Sequence, residues 1–117
     1  MNFKPFFLFL NTIKTLHWTT KSYAHHKILD EAYSDFSDKI DEFVESVIGL
    51  NNVTVFKDIT MVIPMTLPEE DTAGIFEATF NDFNTDIRKF ADSSELESLM
   101  DDLTNIANKT IYLLRMH

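Results

Sequence analysis

The chain has 117 residues, no cysteine, and 19 acidic against 10 basic side chains, for a net charge of −9. That length supports one domain with a modest core. The lack of thiols excludes disulfides, thiolate metal sites and cysteine nucleophiles and fits a cytoplasmic protein, while the charge should repel nucleic acid and anionic membranes, so neither DNA nor a bilayer is an expected partner.

Two glycines, three prolines and 44% hydrophobic residues predict an all-α fold of long helices. Phe6, Phe9, Ile13 and Leu16 recur at three- and four-residue steps and predict a first helix over residues 3–20. The apolar run inside FKPFFLFL is too short for a signal-peptide core and no small-residue cleavage site follows, so it reads as a buried helix face. No stretch approaches the length that spans a bilayer. A short link at Thr20 to Ser22 leads to a second helix over 23–48, with Leu29, Tyr33, Phe36, Ile40, Phe43 and Val47 inward and Gly49 as its C-cap.

Residues 50–67 (LNNVTVFKDITMVIPMTL) carry no helical period and read as a crossover. The second helix is roughly 36 Å long, and this segment can reach roughly 59 Å when extended. It is therefore long enough to return along the bundle, and its β-branched runs, Val53 to Val55 and Ile59 to Ile63, predict packing against a neighbouring subunit. A third helix over 68–91 opens at TLPEED, with Pro68 and acids in its first turn, and turns Phe76, Phe80, Phe83, Ile87 and Phe90 inward. A fourth over 94–115 opens on the capping box Ser94 to Glu97 and buries Leu96, Leu99, Leu103, Ile106, Thr110 and Leu113. Short links make antiparallel pairs, and one long crossover between helices 2 and 3 makes the four-helix bundle ferritin-like. The 11 phenylalanines, at helical spacings, read as core rather than as a cofactor box, and Trp18 as a packing residue.

Chemistry concentrates on the second helix and the residues just before it. Taking His26 as zero, Asp30, Asp41 and Glu45 fall at roughly 40°, 60° and 100° around the helix, one continuous face. His25 points roughly 100° the other way, toward the apolar stripe, so His26 is the better ligand. Imidazole with carboxylate suits iron, zinc or manganese. Asp30 and Asp41 are separated by roughly 16 Å of helical rise, whereas metal bonds to nitrogen or oxygen are about 2 Å long. One helix therefore cannot close the site, but a second copy related by a two-fold axis near residues 35 and 36 can. Ser34 and Ser37 lie near that axis and permit close approach, and Val44 and Ile48 on the same face are natural only if it is covered. The expected assembly is a symmetric dimer with two shared metal sites. The usual intra-bundle Glu-x-x-His site is excluded, because helices 3 and 4 hold no histidine before His117. Residues 25–48 also carry seven acids, so the plain alternative is a solvated acidic face.

The pattern His17-Trp18, His26-Lys-Ile-Leu-Asp30 and, eleven residues on, Asp41-Glu-Phe-Val-Glu45 resembles that of the Dps family of mini-ferritins. The resemblance is specific over residues 13–49 and architectural beyond. It implies a ferroxidase site between two-fold-related subunits, with His17, His26 and Asp30 from one subunit and Asp41 and Glu45 from the other, and Asp30 able to bridge two irons. It further implies oxidation of Fe(II) by peroxide or oxygen for iron detoxification or storage, with assembly at least to a dimer and, in that family, to a cage. The competing expectation is a non-enzymatic helical dimer with at most a structural metal.

Overall fold

The computed structural model describes residues 2–51 and 71–117. Among these there are four α-helices and no strand: α1 (Lys4–Thr19), α2 (Tyr23–Asn51), α3 (Thr72–Ile87), prolonged by a single 3₁₀ turn (Arg88–Phe90), and α4 (Ser94–Met116). The all-α expectation therefore holds. The predicted crossover falls almost wholly outside the described residues, as do Pro68, Glu69 and Glu70.

Each helix end shows why the chain stops or starts there. Pro5 sits in the first turn of α1, where its missing N–H is not needed. At the turn into α2, Ser22 Oγ accepts from the His25 amide at 3.1 Å and Thr20 Oγ1 from the Ser22 amide at 3.2 Å. Three residues thus suffice to reverse the chain. Gly49 is not the expected C-cap, since α2 runs on through Asn51. A lone glycine weakens a helix by only about 1 kcal/mol relative to alanine and does not end it. The N-cap of α3 is Asp71, whose carboxylate accepts from the Gly74 amide at 2.9 Å. A Cβ at Gly74 would collide with that carboxylate. For α4 the cap lies one residue before the expected Ser94. Ser93 is the extended residue, and its Oγ accepts from the Leu96 amide at 3.2 Å.

Contacts fix the helix directions. Phe6 meets Phe43 and Phe9 meets Phe36, so α1 and α2 are antiparallel. Phe6 also meets Phe83 and Phe90 while Phe9 reaches Phe76, so α3 opposes α1. Glu77 pairs with Arg115, and Ser46 with Glu95, so α4 opposes both α3 and α2. It follows that α2 and α3 run the same way. Their interior is largely phenylalanine: Phe9 stacks on Phe83 at 4.4 Å between ring centroids and meets Phe36 edge-on at 4.9 Å.

The expected core positions of α1 and α3 are buried, apart from Phe90, which is partly buried. On α2, Ala32 is buried while Tyr33 stands partly out beneath the Lys14 ammonium, 4.0 Å from its ring centre. On α4 the buried line is Leu96, Leu99, Met100, Leu103, Ala107, Thr110, Ile111 and Leu114, with Ile106 and Leu113 only partly covered. A 3.6-residue period drifts by about 20° per seven residues from a strict seven-residue count, and toward the C-terminal half of α4 the buried line shifts to Ala107, Ile111 and Leu114.

Candidate metal centre

His17, in the last turn of α1, and His26, in the first turn of α2, face each other across the Thr20 to Ser22 turn. Their rings stack 3.9 Å apart at 20°. His17 Nδ1 donates to the His26 carbonyl at 2.8 Å, and His26 Nδ1 donates to the His17 carbonyl at 2.9 Å. A carbonyl can only accept, so each Nδ1 carries the hydrogen and each neutral ring keeps its lone pair on Nε2. Donation of the second ring N–H to a backbone carbonyl is also the usual way a metal-ligating histidine is oriented. His17 Nε2 lies 3.9 Å from Asp30 Oδ1; the His17 side chain is 12% exposed and that of Asp30 69%.

Of the predicted ligands, His17 and His26 are thus in contact with each other, and His17 lies beside Asp30. Asp41 and Glu45 are not part of this group. They lie farther along α2, exposed, on the rim of a groove of about 240 Å³ whose walls are Phe3, Phe6, Phe7, Leu10, Ile40 and Val44. Among the described residues, no group of three or more His, Asp or Glu side chains could hold a metal ion within one chain. His17, His26 and Asp30 therefore lie toward the start of α2, and Asp41 and Glu45 toward its end.

His25 is differently employed. Its Nε2 donates to the Leu114 carbonyl at 2.8 Å, tying the start of α2 to the orphan acceptors at the end of α4. Trp18 departs from its expected packing role: it is 65% exposed, because it lies on the side of α1 away from the core stripe. The carbonyl locks on the two histidines were not visible as a motif, nor was the apolar groove. A second line along α1 (Phe3, Phe7, Leu10, Lys14, Trp18) was the signal that could have found the groove, since it runs beside the core stripe at helical spacing.

Among the described residues no helix is long and apolar enough to cross a membrane. A family model described as "Family of unknown function (DUF5856)" matches residues 17–114, and the chain belongs to that family. A protein of Enterobacteria phage T4, titled "Uncharacterized 14.6 kDa protein in mobD-ri intergenic region", is 30% identical over 102 residues, covering 86% of this chain and 74% of the phage protein. No solved structure matches.

Proposed function

We propose that this member of the family is a mini-ferritin-like iron protein that works as a two-fold dimer. Each of two sites would take His17, His26 and Asp30 from one subunit and Asp41 and Glu45 from its partner. The observation that carries the reading is the pair of Nδ1–H to carbonyl bonds, which leaves the His17 lone pair 3.9 Å from the exposed Asp30 carboxylate with the His26 ring stacked beside it. Support also comes from the parallel run of α2 and α3, which a ferritin-like bundle with one long crossover requires.

Iron(II) is the substrate. Two Fe(II) ions each give up one electron, and hydrogen peroxide accepts both with two protons to leave two waters. The chain's own part is to present two imidazoles whose Nδ1–H groups are held by carbonyls, and carboxylates whose charge favours the more highly charged Fe(III) product. The net charge of −9 favours accumulation of cations at the surface.

The test is aerobic or peroxide-driven Fe(II) oxidation, read against protein-free buffer. Acceleration that is lost in Asp41→Ala and in Glu45→Ala supports the assignment, and an unaccelerated rate overturns it. Subunit sharing is tested by mixing His26→Ala/Asp30→Ala chains with Asp41→Ala/Glu45→Ala chains. Each mixed dimer then holds one intact site, so mixing should recover metal binding that neither parent shows.

A second reading has its own observation. The stacked histidines cross-brace the α1–α2 turn, and a brace needs no metal. In that case the protein is a non-enzymatic helical dimer, and the same carboxylate substitutions alter dimer affinity identically with and without metal.

A further inference from the structure

We infer that Trp18 of one copy seats in the apolar groove between α1 and α2 of a second copy, and that this contact holds the dimer together. The inference rests on the two-fold arrangement proposed above and adds the side chain that would fasten it.

The level of Trp18 along the bundle is set by its neighbour: His17 stacks on His26, so Trp18 lies at the His26 end of α2. A two-fold axis that places Asp30 opposite the partner's Asp41 places His26 opposite Glu45. Glu45 and Asp41 are the rim of the groove walled by Phe7, Leu10, Ile40 and Val44. The operation that completes the donor set thus brings an indole against an apolar recess. Trp18 is 65% exposed and Phe7 is 53% exposed, so neither is covered by the described residues of its own chain.

The chemistry agrees at both ends of the side chain. The ring would lose water against aliphatic and aromatic walls, and a buried indole also needs an acceptor for its N–H. The groove offers carboxylate oxygens at its edge. Large aromatic side chains in desolvated pockets are where association energy usually concentrates.

Trp18 is the only tryptophan, so indole emission reports on it alone. The experiment uses the full chain in chelator-containing buffer, with emission, acrylamide quenching and sedimentation followed over a range of protein concentrations. The expected result is a blue shift and a severalfold drop in quenching that track the appearance of dimer. Phe7→Glu, at an exposed position, should keep the helical circular dichroism while abolishing both. Trp18→Ala should stay folded and weaken the dimer by about tenfold or more. A dimer whose tryptophan emission remains solvent-like overturns the inference, and so does a chain that stays monomeric throughout. A shielded Trp18 in a protein that fails to oxidise iron would defeat the proposed function alone. Iron oxidation with Trp18 in solvent would defeat only the seat.

Discussion

Phe9 and Phe7 stand two residues apart on α1 and meet opposite surroundings. Phe9 is 1% exposed, stacked on Phe83 and edge-on to Phe36. Phe7 is 53% exposed at the mouth of a groove. The same helix carries two apolar lines, one filled by α3 and α2 of its own chain, the other left open by the described residues. His25 and His26 repeat the contrast on α2: His25 is bound to the end of α4, whereas His26 leaves a lone pair on the open face. The inner side of the α1–α2 pair is filled by α3 and α4, whereas the described residues leave the outer side uncovered. A surface that is both apolar and rich in metal donors is costly to leave bare, which is the physical reason for reading it as half of something.

The largest effect should separate the two phenylalanines. Phe9→Ala removes a fully packed ring and should cost about 3–5 kcal/mol, read as a drop in the urea midpoint. Phe7→Ala should cost under about 1 kcal/mol in dilute protein and more as concentration rises, because its loss falls on the assembly. Equal penalties at every concentration would erase the distinction between the sides.

The next effect belongs to the open face. Zn²⁺ as a redox-inert probe should raise stability by about 2.7 kcal/mol at a hundred times its dissociation constant. The increment should vanish in His26→Ala and in Asp41→Ala and persist in His25→Ala. An increment unaffected by Asp41→Ala would place the ion elsewhere. On the closed side, His25→Ala should cost about 1 kcal/mol by removing the imidazole bond to the Leu114 carbonyl, which keeps only the longer 3.4 Å bond from the His117 amide. Faster amide exchange confined to the last turn of α4 would show it, with no dependence on added metal.

Much of the closed side was legible in the chain because burial follows the helical period. Phe6, Phe9, Ile13 and Leu16, and Phe76, Phe80, Phe83 and Ile87, are buried as their spacing predicts. Errors arose where a decision hangs on one residue. Ser93 and Ser94 are chemically alike and only backbone conformation selects the first. Gly49 looked like a stop, but nothing at that position forces the chain out of the helix. The outer side was legible as residue types but not as geometry. Spacing could align His26 with Asp30, but not show that His17 and His26 lock each other's tautomers through main-chain carbonyls. Nor could it place Trp18, since an indole two residues past Leu16 and on the far side of α1 is apolar in composition and exposed in fact.

The smallest effect tests whether the closed side also resists pH. Lys39 on α2 lies 3.3 Å from Glu42 and 3.5 Å from Asp102 of α4. The hydrogen bond and charge of Glu42, and then the charge of Asp102, raise its pKa above the ordinary 10.5. A raised value in the folded state means the ion pair's contribution is fully present below pH 10.5 and is lost as pH climbs through the folded-state value. The parent's urea midpoint should therefore exceed that of Lys39→Met by a small margin at neutrality, and the margin should close as pH climbs above that value. Because the pair is at the surface, added salt should shrink the difference. A gap that survives high salt would mean that Lys39 acts through its packed aliphatic stem, and a gap of opposite sign would mean that α2 and α4 are held together without it.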